Sequence, residues 1–284
     1  MPLNPNVGRD FHNAHYLATA CDLAYYPADK GRAEFKAKLG LDAELVSVGN
    51  TEVYVGQNPE SIVVAFRGSE TPNSLDGVKD WLLTNAKNFL VQPEGTIGTD
   101  FVAAGVGARF HAGFTDALND IWAPLFAATD ARFQEEERPV WVTGHSLGGA
   151  LALLAAWRFS RNFIPVHQVY TFGAPMIGNE VAAKAFEREF PNRIFRCVDD
   201  RDIVPKLPTF SLFSNEYWHC LEEVLLSTGQ AEHSAHTVLQ AVADRAKERI
   251  LDATLIDEVW GKLTHGIGSH LMGNYLARIS EKLA

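Results

Sequence analysis

Residues 140–154 read VWVTGHSLGGALALL, and this stretch decides the fold class. The apolar run Val140–Thr143 predicts a buried strand, and Gly149–Phe159 predicts a buried helix rich in small residues. Between them, residues 144–148 match the pattern G-x-S-x-G. A serine on such a tight turn from strand to helix sits in strained backbone, with its hydroxyl exposed above the sheet. The stretch therefore favours a nucleophilic Ser146 over a plain glycine-rich turn.

Strands and helices alternate along the rest of the chain. The predicted strands are two runs within Glu44–Val55, which turn at Gly49-Asn50, followed by Ser61–Phe66, Val140–Thr143, Val166–Phe172 and Arg193–Val198. The predicted helices are Asn13–Tyr25, Gly31–Leu39, Phe114–Ala128, Gly149–Phe159 and Glu180–Phe190, with a mainly helical tail from Ser234. This alternation predicts an α/β fold with a mostly parallel central sheet and helices on both faces, in one domain over residues 1–284.

Composition and charge exclude several classes of protein. The chain has 284 residues, and its 35 acidic against 25 basic side chains give a formal charge of −10, which disfavours nucleic acid as a partner. The longest apolar run, Ala150–Trp157, is well short of the roughly 20 residues of a membrane span. The first ten residues lack the features of a secretory leader. We therefore expect either a cytoplasmic protein or a secreted protein whose leader has been removed.

Cysteines and histidines do not indicate a structural metal or a disulfide framework. Cys21, Cys197 and Cys220 are far apart, and buried single thiols are the simpler interpretation, although one bridge is compatible with the count. The two H-x-x-H pairs, His12 with His15 and His233 with His236, lack an evident third ligand. We therefore expect neither a metal nor a cofactor.

A nucleophilic serine needs a base and an acid that orients the base. In this fold they follow in the order serine, acid, histidine. Asp199, Asp200 and Asp202 all follow the strand that ends at Val198, and spacing does not separate them. The histidines downstream of this acid cluster are His219, His233, His236, His265 and His270. Physical reasoning favours the late pair around the glycine-rich break, His265 and His270, and leaves both open.

Ester chemistry also needs donors for the oxyanion. The backbone N–H of Leu147, the residue after the serine, is one expected donor. The loop after an earlier strand should supply the other, and Ser69 in Phe66-Arg67-Gly68-Ser69 offers both an N–H and a hydroxyl. The alternative is a plain turn with an exposed arginine.

Several ordered motifs together resemble the class 3 (fungal-type) lipase family of α/β-hydrolases. They are Val64–Ser69, Phe110–Phe114, Thr143–Ala150, Thr171–Pro175 with Gly178-Asn179, and Asp202–Pro208. The resemblance implies that Asp202 is the acid, that His270, followed by Leu271 and Tyr275, is the base, and that Ser69 is an oxyanion donor. It also implies that His219 matches a second family histidine that is not the base.

The resemblance further implies a lid in the region 70–107. Within Thr71–Trp81, Leu75, Val78 and Trp81 lie on one helical face, with charged side chains opposite. The alternative is a surface helix packed permanently on the core. The stretch Val91–Gly107 is either a second flap or a mobile insertion.

These features together predict a carboxylic ester hydrolase, in the first instance a triacylglycerol lipase that meets its lipid ester substrate at an oil–water interface. The alternatives are a phospholipase A1, a feruloyl esterase or a short-chain esterase. A catalytically silent hydrolase fold that binds partners is the alternative from a different class.

Overall fold

The computed structural model describes residues 1–68, 90–202, 204–206, 217–226 and 267–284. Within these ranges the strands, in chain order, are Asp42–Val48 (β1), Thr51–Asn58 (β2), Ser61–Phe66 (β3), Leu90–Val91 (β4), Phe110–His111 (β5), Val140–His145 (β6), Val166–Phe172 (β7), Gly178–Asn179 (β8), Ile194–Val198 (β9), Tyr217–Trp218 (β10) and Glu222–Leu225 (β11).

The helices of the described chain are Phe11–Leu23 (α1), Ala28–Leu39 (α2), Gly95–Val102 (α3), Ala112–Glu135 (α4), Leu147–Arg161 (α5), Glu180–Glu189 (α6), Ile267–His270 (α7) and Met272–Glu281 (α8). A short 3-10 helix covers Val204–Lys206.

The central sheet has seven strands in the order β1-β2-β3-β6-β7-β9-β11. From β3 to β11 every neighbouring pair is parallel, whereas β1, β2 and β3 form an antiparallel meander at one side. The parallel strands are joined by α4, α5 and α6, as crossover connections require. The expectation of a mostly parallel α/β sheet is therefore confirmed.

Helices cover both faces of this sheet, and β3 shows why. Ile62 and Val64 belong to the hydrophobic cluster that contains α4 and α5, whereas Val63 and Ala65 belong to the cluster that contains α1 and α8. Because successive side chains of a strand point to opposite faces, a strand buried on both sides must be apolar throughout. The uninterrupted apolar run of β3 has this cause.

A second, four-stranded sheet was not predicted. It has the order β10-β8-β5-β4, and each of its strands is two residues long. Pairs this short carry too few residues for an alternating pattern, so hydrophobic periodicity does not reveal them. This small sheet ties the segment before α4 to the segment before α6.

The described part of the predicted lid region, residues 90–107, packs on α5. Phe101 of α3 lies 6.2 Å from Trp157 between ring centroids, and Asp100 accepts a 2.8 Å hydrogen bond from Arg158. Ser69, Leu75, Val78 and Trp81 lie outside the described residues.

Other expectations concern the cysteines, metals and membranes. Cys21, Cys197 and Cys220 are free and buried, so the interpretation as single buried thiols is confirmed. Over the described ranges, histidine, cysteine and acidic side chains form no group of three or more suited to a metal. Within the same ranges, no helix has the length and apolar character needed to cross a bilayer.

Candidate active site

Ser146 lies on the sharp turn between β6 and α5. Its backbone has φ 55° and ψ −129°, a conformation that L-residues rarely adopt and that costs on the order of 1–3 kcal/mol. The turn is possible because glycines surround it: a Cβ on Gly144 would overlap the carbonyl of Gly148, and a Cβ on Gly148 would lie 2.5 Å from the Phe66 oxygen. The backbone of the turn therefore sets the position of the Ser146 side chain, whose Oγ makes no hydrogen bond within the described residues.

Three parallel strands bring the remaining groups to the same edge of the sheet. β6 ends just before Ser146, β7 ends just before Gly173, and β9 ends four residues before Asp202. The Ser146 N–H donates to the Phe172 carbonyl at 2.9 Å, which ties the turn to the end of β7. The carboxyl ends of the strands in an open α/β sheet are the usual place for a site.

Asp202 and His270 form a buried hydrogen bond. His270 Nδ1 lies 2.8 Å from Asp202 Oδ2, and the two residues are only 3% and 0% exposed. The aspartate also accepts hydrogen bonds from the Val204 N–H, at 2.9 Å, and from the Tyr275 hydroxyl, at 2.6 Å. Because a carboxylate only accepts, Nδ1 of His270 donates this hydrogen bond, and Nε2 is the ring nitrogen that faces away from Asp202.

Several buried side-chain atoms have no hydrogen-bond partner among the described residues, Thr171 Oγ1 of β7 and Arg67 Nε just after β3 among them. Two of the others are Ser146 Oγ and His270 Nε2. Both groups flank the end of β7, since a Cβ on Gly173 would come within 3.1 Å of the His270 Cε1 atom, next to Nε2. The structure contains no hydrogen bond between the two atoms themselves, and such bonds often tighten only when substrate is present.

Tyr275 keeps the carboxylate in place. Burial and the negative charge of Asp202 raise the pKa of Tyr275 well above its ordinary value, so the hydroxyl remains a donor. The same hydroxyl oxygen accepts the Asp199 N–H at 3.3 Å. Tyr275 thus links the Asp202 carboxylate to the backbone of Asp199, at the start of the loop that follows β9.

Gly173 makes room for this arrangement, a role that the sequence analysis did not assign. Its φ is +59°, and a Cβ there would lie 2.8 Å from Asp202 Oδ2 and 3.0 Å from the Tyr275 hydroxyl. A side chain would therefore push directly on the Asp202–His270 pair.

The other two candidate acids have different surroundings. The carboxylate of Asp199 lies near two guanidinium groups, at 3.3 Å from Arg201 and 3.6 Å from Arg278. Burial alone would raise the pKa of Asp199, but hydrogen bonds from Arg201 outweigh burial and leave it below its ordinary value. Asp200 lies 3.9 Å from the same Arg201. Within the described residues, Asp202 is the acid of the three that pairs with an imidazole, that of His270.

The other candidate histidines do not join this pair in the described structure. His219 is half-buried beside the Pro205 carbonyl, and burial, with the nearby charge of Arg196, lowers its pKa to about 3. His233, His236 and His265 lie outside the described residues, as does Ser69. Leu147 is the first residue of α5, so its N–H has no acceptor within the helix and remains free to meet an anion.

The chain belongs to the family Lipase (class 3), whose profile matches residues 63–212. The resemblance found in the sequence is thereby confirmed. Among curated relatives, the chain is 34% identical over 166 residues to secreted mono- and diacylglycerol lipase 1 of Fusarium solani, with 56% of this chain and 44% of that protein covered.

A second relative comes from a plant. It is the chloroplastic phospholipase A(1) DAD1 of Arabidopsis thaliana, 28% identical over 164 residues, with 55% of this chain and 35% of that protein covered. Among solved structures, a mutant of MDLA from Penicillium cyclopium is 22% identical, with a TM-score of 0.61 and coverage of 79% of this chain and 83% of that one. The likeness to that structure shows that the fold is shared.

Proposed function

We propose that this protein is a carboxylic ester hydrolase that acts on acylglycerols, with Ser146 as nucleophile, His270 as general base and Asp202 as the acid that orients it. The observation that carries this proposal is the Asp202–His270 hydrogen bond. It leaves Nε2 of His270 facing away from the carboxylate, and that atom and Ser146 Oγ are both buried without a hydrogen-bond partner among the described residues.

The first half of the reaction transfers the acyl group to the enzyme. His270 Nε2 takes the proton of Ser146 as Oγ bonds to the ester carbonyl carbon, and the carbonyl oxygen becomes an oxyanion. The tetrahedral intermediate then expels the alcohol oxygen, which receives the proton from His270. Asp202 keeps Nδ1 protonated and stabilises the imidazolium that forms in between.

The second half regenerates the enzyme. Water gives a proton to His270 Nε2 and attacks the acyl carbon, and the carboxylic acid leaves as Ser146 recovers its proton. We assign the binding of the oxyanion in both steps to the backbone N–H of Leu147 and to Ser69. Ser69 directly follows Gly68, the last described residue after β3. This chemistry calls for neither a metal nor a cofactor.

The substrate class rests on the family and on the relatives. The names of the Fusarium and Arabidopsis proteins refer to mono- and diacylglycerols and to phospholipids, so two activities are supported. Acylglycerol hydrolysis is the first candidate, and phospholipase A1 activity is the second. A lid built on Leu75, Val78 and Trp81 would open at an oil–water interface and expose apolar surface there.

The primary test compares Ser146→Ala with Ser280→Ala. Ser280 is an exposed serine on α8 whose hydroxyl donates to the Leu276 carbonyl, so it controls for the loss of one hydroxyl. We expect Ser146→Ala to lose at least about 10³-fold in kcat on p-nitrophenyl esters and Ser280→Ala to retain wild-type turnover. Unchanged turnover in Ser146→Ala would refute the proposal.

A second test separates the histidines. His270→Ala should lose activity as severely as Ser146→Ala, whereas His265→Ala should keep most of it. An active His270→Ala together with an inactive His265→Ala would move the base to residue 265.

A third test addresses the substrate. We expect hydrolysis of a diacylglycerol to rise when it passes its solubility limit, and we expect slower release of fatty acid from phosphatidylcholine vesicles. A flat response to emulsification would favour a feruloyl or short-chain esterase. A faster reaction on the vesicles would favour phospholipase A1.

A further inference from the structure

His145, the residue before Ser146, is a buried imidazole that the proposed chemistry does not use. It is the last residue of β6 and is 4% exposed. Its two ring nitrogens both have partners: Nδ1 lies 2.8 Å from the Tyr25 hydroxyl, and Nε2 lies 2.7 Å from the main-chain oxygen of His270. The side chain therefore links the first helical hairpin of the chain to the backbone of the proposed base.

The directions of these two hydrogen bonds follow from the partners. A carbonyl oxygen only accepts, so His145 Nε2 carries the proton and donates it to His270. Nδ1 is then the acceptor, and the Tyr25 hydroxyl donates to it. Burial lowers the pKa of His145 well below its ordinary value, with the nearby His270 adding to the effect, so the ring stays neutral. Burial also raises the pKa of Tyr25, which keeps its hydroxyl protonated.

Tyr25 reaches a second part of the site. The amide of Gly68 faces the Tyr25 hydroxyl oxygen, and a Cβ on Gly68 would overlap that oxygen. Gly68 is the residue directly before Ser69, the assigned oxyanion donor. One phenol thus contacts both the loop of the oxyanion donor and, through His145, the main chain of the base.

The position of His270 explains why such a link matters. Its imidazole is fixed by Asp202, but its backbone belongs to a four-residue helix, α7, at the start of the last described segment. The rings of His145 and His270 also lie 4.7 Å apart between centroids. A shift of the His270 main chain would move Nε2 relative to Ser146, and a displacement of about 1 Å can cost on the order of 10²-fold in rate.

We propose that Tyr25 and His145 are positioning residues that hold the main chain of His270 and the loop leading to Ser69 in register with Ser146. This proposal rests on the proposed function, because it assigns a purpose to the placement of the base. Neither residue transfers a proton in this role, and we expect their loss to lower kcat rather than to weaken substrate binding.

The test measures kcat and KM on p-nitrophenyl butyrate for full-length variants, normalised to the active sites that a fluorophosphonate titrates. Tyr25→Phe removes one oxygen and should lower kcat about 3–10-fold, the equivalent of one neutral hydrogen bond. His145→Leu removes both bonds and should lower kcat about 30–100-fold. KM should stay within about twofold of wild type in both variants, because neither residue is assigned a contact with substrate.

Two further variants distinguish positioning from general stability. His145→Gln keeps a donor toward His270 and should recover most of the kcat that His145→Leu loses. Tyr25→Phe combined with His145→Leu should lose less than the product of the two single losses, because the Tyr25–His145 hydrogen bond is already gone in His145→Leu and only the Tyr25–Gly68 contact remains to be lost.

Each outcome decides one question. A wild-type protein that does not react with the fluorophosphonate would overturn the proposed function. A wild-type protein that reacts, with wild-type kcat per titrated site in Tyr25→Phe and His145→Leu, would overturn the positioning roles alone. Losses that multiply in the double variant, or a His145→Gln as slow as His145→Leu, would also overturn them.

Discussion

Two carboxylates in this molecule, the partly exposed Asp100 and the buried Asp202, have opposite surroundings. Asp100, beside α5, accepts from the Arg158 guanidinium at 2.8 Å and from Asn162 at 3.2 Å, and the guanidinium stacks on Trp122. Among the described residues, Asp202 accepts from an imidazole, a phenol and a backbone amide. Asp100 compensates a permanent charge, whereas Asp202 orients a group that can take up a proton.

The difference lies in the chemistry of the group at which each hydrogen-bond network ends. From Asp202 the network passes through the His270 ring to Nε2, and from Asp100 it passes to the Arg158 guanidinium; His270 Nε2 and Arg158 Nη1 both lack a hydrogen-bond partner among the described residues. A guanidinium stays protonated, whereas an imidazole nitrogen can take up and release a proton. The polar network around Asp100 therefore serves the fold, and we expect the network around Asp202 to serve the proposed reaction.

The largest expected effect separates these two aspartates. Asp202→Asn should lower kcat by about 10³- to 10⁴-fold, because an asparagine no longer enforces the protonated Nδ1 of His270. Asp100→Asn should leave kcat per active site within about twofold, yet lower the free energy of unfolding by about 1–3 kcal/mol through the weakened bond to Arg158. Ester hydrolysis and urea unfolding measure the two quantities. A catalytic loss in Asp100→Asn as large as that in Asp202→Asn would remove the distinction.

An intermediate effect is expected at two glycines that share a backbone conformation. Gly173 and Gly40 have φ +59° and +69°, so an alanine at either position should cost about 1–2 kcal/mol of stability. A Cβ at Gly40 meets nothing within 4 Å, whereas one at Gly173 presses on Asp202. We therefore expect Gly173→Ala to lower kcat about 10²-fold and Gly40→Ala to leave it unchanged. Equal kcat in the two variants would show that the Asp202–His270 pair tolerates displacement.

The smallest expected effect concerns two buried tyrosines. The Tyr275 hydroxyl donates to Asp202, and the Tyr16 hydroxyl donates to the Leu39 carbonyl at 2.6 Å. Each Phe variant loses one buried hydrogen bond and should be less stable by about 0.5–1.5 kcal/mol. Only Tyr275→Phe should also lower kcat, by about 3–10-fold. Thermal unfolding measures the stability of each variant, and ester assays on the folded protein measure kcat. A loss of kcat in Tyr16→Phe would count against this assignment.

Much of the fold could be predicted because its central strands are apolar without interruption. The sequence predictions for β3 and β7 agree with the structure at both ends. Helix ends were less accurate: α4 begins at Ala112 rather than Phe114, because the His111 ring accepts the Phe114 N–H and caps the helix. A histidine cap of this kind has no strong signature in sequence.

The nucleophile could be predicted from local sequence, since the glycines that permit the turn are its neighbours in the chain. The acid could not, because three aspartates within four residues differ only in what they face after folding. The resemblance to class 3 lipases favoured Asp202 and His270, and the structure brings these two into contact. Tyr25 is separated from His145 by 120 residues, so no local pattern indicates that contact.

The most direct test of the central claim is mass spectrometry of the intact protein after reaction with a fluorophosphonate. We expect one adduct per chain, located after digestion on the peptide that contains Ser146, with labelling at least about 10³-fold slower in His270→Ala. An adduct on another residue, or equal labelling rates in wild type and His270→Ala, would contradict the assignment of Ser146 as a nucleophile activated by His270.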